Sequence, residues 1–411
     1  MMAALACRSC GAALEHSFVD LGNSPLANAF LSAGDLGRPE PVYPLHVRVC
    51  GNCMLAQLPQ LETAENIFSH YVYFSSYSES WLDHAERFAR EAVARHRLAA
   101  SSLVVEVGSN DGYLLQFFAR AGIPVLGVEP AANIARVAEA KGVRTRVAFF
   151  GLETAKSIVA GEGQADLVVG NNVLAHVPDL NDFIAGLAVL LKPGGVLTME
   201  FPHLLKLIEE NQFDTIYHEH FCYFSLLSVE TAFERHGLKV FDVETLPTHG
   251  GSLRVHAAPA ASGRAAAAPV VALRRLEKEK GLDRIETYAG FSARPRRVKE
   301  QLLALLAAAR REGKRVAAYG AAAKGNTLLN YCGIGADAIE YVVDRNPHKQ
   351  GLFLPGSHIP VVDPGHLRER RPDVILVLPW NLLDEVLAQL SFARDWGARF
   401  LVPIPEPRLL P

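Results

Sequence analysis

No run of about 18 consecutive apolar residues occurs in this chain, so nothing in it reads as a membrane-spanning helix. The opening residues MMAALACRSCGAAL hold one arginine between two cysteines. They lack the charged start and continuous apolar stretch of a secretion signal. Excess charge of either sign is also missing: 41 Lys and Arg against 44 Asp and Glu give a net charge of −3. That balance, with no clustered basic face, argues against recruitment of nucleic acid or an anionic membrane surface. Low-complexity blocks are absent, and 49% hydrophobic with 21% charged residues is a globular composition. Cysteine is scarce: of six, four form two CxxC pairs, and Cys222 and Cys332 stand alone. That usage favours metal ligation over a disulfide framework. The expectation is a cytoplasmic protein, monomeric or a small homo-oligomer, whose 411 residues divide into two or three domains.

Three regions differ in texture. Residues 1–70 are short Pro- and Gly-punctuated segments between the CxxC pairs. Residues 71–257 alternate short apolar strands (LVVEVG, VLGVEP, RTRVAF, DLVVGN, VLTMEF) with helical stretches such as 112–121 and 131–141. Buried strands with helices between them imply a parallel sheet covered on both faces. APAASGRAAAAPV, residues 258–270, reads as a linker opening the third region, 258–411. There an amphipathic helix over 295–312 leads into a second alternation of RVAAYG, IEYVVD and DVILVLP. The fold class is α/β: a Rossmann-like central domain, a small N-terminal zinc-binding module and a second, C-terminal Rossmann-like domain.

Cys7-x2-Cys10 and Cys50-x2-Cys53 carry the metal signal. Each CxxC turn places two thiolates on one side of a knuckle, and two knuckles supply the tetrahedral sulfur shell of Zn²⁺. Four thiolates close the shell, so the metal would be structural; disulfides or free thiols are the alternative. Glu106-Val107-Gly108-Ser109-Asn110-Asp111-Gly112 follows the strand LVV. A glycine-bearing turn from strand to helix admits a ligand close to the backbone. The spacing is ExGxxxG rather than GxGxxG, which disfavours pyrophosphate against a compact zwitterion. About twenty residues on, Glu129 ends the next strand, where a carboxylate can accept both ribose hydroxyls. The pair resembles the first two cofactor motifs of class I methyltransferases, which use S-adenosylmethionine. The cofactor set is then Glu106, Gly108, Asn110, Gly112, Glu129 and Asn171, with Phe149 and Phe150 either beside the adenine or in the core. Asn171 and Asn172 end the fourth strand, and His176 follows on the loop at the carboxyl edge of the sheet.

Tyr217-His218-Glu219-His220 puts four hydrogen-bonding or titratable groups in a row amid aromatics. If extended, the stretch alternates Tyr217 and Glu219 on one face with His218 and His220 on the other. It is not the HExxH of metalloproteases. Acid–base chemistry is favoured over a packed core cluster or an HxH metal site, because histidine titrates near neutrality. His249-Gly250-Gly251-Ser252 is a polar turn, either a plain loop or a ligand contact. The strip from Tyr71 to Tyr77 could line a sugar pocket or simply pack. Gly320–Asn326 joins a strand to a helix and fits neither Walker nor Rossmann fingerprints, yet a helix start beside Lys324 suits an anion. Arg294, Arg296, Arg297 and Lys299 read as a solvated helix start.

Taken together, the zinc knuckles, ExGxxxG, YHEH, HGGS, YGAAAKGN, DRNPHKQG and LPGSHIPV resemble the sugar C-methyltransferase family of deoxysugar and antibiotic biosynthesis. The resemblance covers essentially the whole chain. It implies S-adenosylmethionine, structural zinc and a nucleotide-linked, dTDP-type keto-deoxysugar as substrate, with no nucleic-acid or membrane partner. It also implies a catalytic base at His220, with Tyr217, Glu219 and His176 close by. Tyr71, Tyr77, His249, Lys324 and Asn326 would face the substrate. Two other readings stand beside it: an O- or N-methyltransferase of a small metabolite, and a zinc-ribbon nucleic-acid-binding protein with a degenerate methyltransferase domain.

Overall fold

The structure is a computed structural model that describes residues 5–63 and 74–411; Tyr71, Val72 and Tyr73 lie outside the described residues. Its centre is a seven-stranded sheet. In spatial order the strands are Leu238–Leu246, Ser252–Pro259, Leu191–Pro202, Ala165–Asn171, Val104–Val107, Val125–Glu129 and Thr145–Val147. The last five run parallel, and the hairpin 238–259 adds antiparallel to the edge of Leu191–Pro202. Val104–Val107 and Val125–Glu129 are buried at every position, as strands covered on both faces must be. The chain begins at Val104–Val107, adds two strands on one side, then crosses back to Ala165–Asn171. That reversal creates a crevice at the carboxyl ends of Val104–Val107 and Ala165–Asn171, where open α/β sheets bind ligands.

A second sheet, of six strands, forms from Val361–Val362, Val342–Val343, Val316–Tyr319, Val374–Val377, Arg399–Val402 and Arg408–Leu410. All are parallel except the last. This is the expected further α/β domain. The helix before it runs Ala293–Arg311, starting two residues earlier than its apolar period suggests. The expected linker is shorter than its composition implies: strand pairing continues to Pro259, and a helix begins at Ala268 with proline in its first turn. Arg264 between them donates to the Gly194 carbonyl and lies over the Phe241 ring, so this segment is tied to the central sheet.

The N-terminal module is not self-contained. Its sheet of His16–Ser24, Tyr43–Val49 and Ala56–Gln57 is completed by Cys222–Tyr223 from the central region. Its apolar face, with Phe18, Leu45 and Val47, shares one core with Tyr288, Phe291, Val298 and Leu302. Phe18 stacks on Phe291 at 4.7 Å and meets Tyr288 edge-on at 5.7 Å.

The fully buried Glu277 acts as a staple between elements. It accepts hydrogen bonds from the Leu226 and Leu227 amides, at the start of the helix Leu226–Glu234, and from His203 Nε2 at 2.6 Å. The carboxylate satisfies orphan amides and complements the helix dipole. Glu277→Ala leaves those donors buried and unpaired. It should lower stability against urea by about 1–3 kcal/mol, the scale for leaving a buried hydrogen-bonding group unsatisfied. A midpoint unchanged from wild type would refute this.

Candidate active site and metal centre

The four N-terminal thiols converge. All four sulfurs lie within 4.8 Å of one another, Cys7 to Cys53 at 3.5 Å and Cys10 to Cys50 at 3.4 Å. None is paired in a disulfide. Each knuckle is closed by backbone bonds, Gly11 N to Cys7 O and Met54 N to Cys50 O, with Gly11 and Met54 in the left-handed region. The Gln57 amide donates to Cys7 Sγ at 3.2 Å, an outer contact that steadies a ligand sulfur. The sulfur set suits a closed, structural Zn²⁺ site.

The turn after Val104–Val107 carries three residues of positive φ: Gly108, Asn110 and Gly112. A Cβ on Gly108 would lie 2.9 Å from Val173 Cγ2, so both the conformation and the close approach require glycine. Glu106 is fully buried, and neither carboxylate oxygen makes a well-aligned hydrogen bond among the described residues, with only the Tyr113 hydroxyl close enough to favour its charged form. Burial drives its pKa well above the usual range, with the Tyr113 hydroxyl opposing. A carboxylate so poorly bonded at this depth fits a cationic ligand group, such as the ammonium of the cofactor's amino-acid part. Glu129 accepts from the Asn110 and Ala131 amides at 3.0 and 2.9 Å, which hold it at the crevice with lone pairs left over for hydroxyls. Asn171 donates to the Tyr113 hydroxyl at 3.2 Å. Phe149 is exposed beyond Thr145–Val147, whereas Phe150 packs on Phe183 in the core.

Residues 217–220 form a turn, closed by His220 N to Tyr217 O, following the short helix Phe213–Thr215. Strand alternation therefore does not apply. His218 is turned toward the N-terminal module, 3.3 Å from the Tyr43 and Pro44 carbonyls. Glu219 is buried and accepts from Asn28 of that module at 2.6 Å. Tyr217 and His220 remain partly open, their rings 4.0 Å apart, and His176 is 4.8 Å from His220.

His220 Nδ1 lies 2.8 Å from the Thr215 carbonyl, and His176 Nδ1 lies 2.8 Å from the Glu219 carbonyl. A carbonyl only accepts, so each Nδ1 carries the hydrogen and each Nε2 the lone pair. Burial, then the nearby His176, His249 and Lys324, pull the His220 pKa well below the usual value. Burial takes His176 down to about 4. Both rings are neutral at pH 7.

Trp81 lines the entrance, 5.2 Å from His249 and 5.9 Å from Tyr113. Burial brings His249 down to about 4. Tyr77 is exposed beside Phe74. From the C-terminal domain, Lys324 Nζ donates to Asn381 Oδ1 at 2.7 Å and sits 4.9 Å from the Trp380 ring centre. Asn326 is buried, its amide donating to the Ala27 carbonyl. Asp214, Trp380, Asn381, Asn28 and Trp81 join this site without having signalled it. Each is a single polar or aromatic residue in an unremarked segment, and tertiary contact alone brings them here.

This fold and its crevice define an S-adenosylmethionine-dependent methyltransferase with a zinc-binding region. Residues 7–68 match a family described as a zinc binding domain, 81–243 a methyltransferase domain, and 247–405 a C-methyltransferase C-terminal domain. The chain is 41% identical over 404 residues to the C-methyltransferase NovU of Streptomyces niveus, covering 98% of this chain and 96% of that one. It belongs to the sugar C-methyltransferase family. A ubiquinone biosynthesis O-methyltransferase of a Methylobacterium species is 33% identical over 119 residues, 26% of this chain and 47% of that protein. Among solved structures, magnesium protoporphyrin IX methyltransferase of Synechocystis with bound S-adenosylmethionine aligns at a TM-score of 0.33 and 17% identity. It covers 46% of this chain and 84% of that one. Among the described residues no helix is long and apolar enough to cross a membrane.

Metal analysis should find one zinc per chain, and Cys50→Ser should yield a poorly folded protein, because a closed site contributes folding free energy. A metal-free wild type that is stable and active would contradict this. Glu129→Ala should weaken S-adenosylmethionine binding by about 1.5–3 kcal/mol, the scale of a hydrogen bond to a charged group. Titration calorimetry showing unchanged affinity would remove Glu129 from the cofactor site.

Proposed function

We propose that the enzyme methylates the carbon next to the ketone of a nucleotide-linked keto-deoxysugar, of the dTDP-linked type, with His220 as the base. The observation that carries this reading is the tautomer of His220: Nδ1 is committed to the Thr215 carbonyl, so Nε2 is the basic atom of a neutral, half-buried imidazole. Carbon next to a ketone must lose a proton before it can act as a nucleophile. The C–H electron pair becomes a C=C bond, the carbonyl π pair moves to oxygen, and the proton passes to Nε2. In this reading the Tyr217 hydroxyl donates to the enolate oxygen, supported by the Tyr217 and His176 rings lying 4.0 and 4.8 Å from the His220 ring. Glu219 fixes the turn through Asn28 rather than exchanging protons itself. S-adenosylmethionine, when bound, supplies a sulfonium methyl for in-line transfer to carbon, leaving S-adenosylhomocysteine. For that transfer the protein mainly provides positioning. Tyr77 and His249 line the sugar side.

The test follows the substrate's α-hydrogen. With a dTDP-linked keto-deoxysugar in deuterated solvent and S-adenosylhomocysteine present, wild type should exchange that hydrogen, which an O- or N-methyltransferase has no need to do. His220→Asn should reduce both exchange and methyl transfer roughly 10²–10⁴-fold, the usual scale of general-base catalysis, with little change in ligand binding. Tyr217→Phe should cost rate without binding. Exchange at the wild-type rate in His220→Asn would move the base to another residue.

A further inference from the structure

Lys324 is reached by no part of the scheme above. It lies in the first turn of the helix Ala323–Cys332, which packs against the short helix Phe213–Thr215 just before the catalytic turn, and its charge acts on His220. Asn381 takes one of its hydrogens, and the Trp380 ring forms a wall 4.9 Å away. Behind that wall sits Asp214, fully buried. Its Oδ2 accepts from Trp380 Nε1 at 2.6 Å, and its Oδ1 makes no well-aligned hydrogen bond among the described residues, the Asp214 and Thr215 amides favouring its charged form from close by. A buried carboxylate with an oxygen so poorly bonded is costly unless a cation compensates it. Lys324 is the cation whose field acts on it.

Asp214 also belongs to the short helix Phe213–Thr215, whose last residue supplies the carbonyl that orients His220. One three-residue element therefore holds both the base and the counter-charge of the lysine. The His249 turn is fitted to the same wall: a Cβ on Gly250, at φ +90°, would lie 2.7 Å from Trp380 Cη2, and Gln212 donates to the Gly250 carbonyl.

We infer that Lys324 is the cation that takes up the negative charge developing on the substrate's ketone oxygen, and that Asp214 is a positioning residue that keeps this ammonium charged and in place. The inference rests on the reading of His220 as the base. When His220 removes the α-proton, the carbonyl oxygen becomes an oxyanion in a site largely closed to water, where a fixed ammonium is worth far more than in solution. The same ammonium repels a proton on His220 and so keeps the base in its working form. A lysine serving only the diphosphate would act on binding; the charge of this one acts on the base. The titratable groups whose charges act on or respond to Lys324 are Asp214, His220 and His249. His220 also responds to His176, His249 to Glu200 and His84, and Cys332 to Asp214.

The experiment measures kcat, KM and α-hydrogen exchange with a dTDP-linked keto-deoxysugar. Lys324→Met should lower kcat and exchange roughly 10²–10³-fold, the loss typical of one oxyanion-stabilising group, with KM little changed. Lys324→Arg should restore part of it. A raised KM with kcat and exchange intact would overturn the inference and assign the lysine to the diphosphate. Burial brings the Lys324 pKa down to about 8, with Asp214 opposing, so wild-type kcat should decline as pH rises through that value. Asp214→Asn keeps an acceptor for the Trp380 indole but removes the charge. Its alkaline limb should therefore shift to lower pH; an unmoved limb refutes the role of Asp214. The wild-type profile needs no variant to fold, and a flat profile across that range also overturns the proposal. Exchange lost in His220→Asn but kept in Lys324→Met defeats this inference alone. No exchange in wild type defeats the carbanion reading and this inference with it.

Discussion

Residues 213–223 are held simultaneously by all three parts of the chain, and the geometry of the active centre depends on that restraint. The N-terminal module pairs with Cys222–Tyr223 and takes the Phe221 carbonyl through Leu58 N. The central domain holds Phe221 N at the Ala175 carbonyl, beside His176. The C-terminal domain donates Thr327 Oγ1 to the Ile216 carbonyl and the Trp380 indole to Asp214. A loop with so many backbone and side-chain partners gains little from local propensity. Its conformation is imposed by its neighbours, which gives the preorganised groups that catalysis requires.

That dependence explains why a structural metal belongs in this enzyme. Zinc at the four cysteines fixes the knuckles from which Ala56–Gln57 pairs with Cys222–Tyr223, only two residues from His220. The same module sends Asn28 to Glu219, and its apolar face is covered by Tyr288 and Phe291 of the C-terminal region. The zinc region is thus a wall of the active site and part of a common core. It is too small to bury an adequate core alone, so metal and shared packing together supply its stability.

Charge is handled in two ways beneath the site. Glu200, with 0% exposure, is fully served by His84 at 2.9 Å, Arg254 at 2.7 Å and the Thr248 hydroxyl at 2.9 Å. Burial would raise its pKa, but the His84 bond and the Arg254 charge outweigh this and take it to about 2. This network braces the HGGS turn from below, through Thr248. Glu106 and Asp214 are the opposite case, buried with oxygens that lack well-aligned hydrogen bonds among the described residues and pKa values raised by burial. Satisfied charges mark the scaffold, whereas unsatisfied ones mark where a cation is to be met.

Much of this was legible along the chain, because some constraints are local. A CxxC knuckle, a glycine turn after a buried strand and an acid at the end of the next strand are each fixed by a few neighbouring residues. The sequence by itself therefore determined the cysteine cluster, the α/β alternation and the family. It also singled out 217–220, but not the turn that separates His218 from His220, because alternation presumes an extended backbone that tertiary contacts do not allow. It marked 258–270 as a linker from its alanines, although pairing with the central sheet carries the strand on to Pro259. Only the tertiary structure decided that Asp214, Trp380 and Asn381 meet Lys324 beside His220. Those residues are up to 167 positions apart and carry no periodic or spacing signal. Their meeting is settled by how two sheets and a metal-held module pack around one short loop.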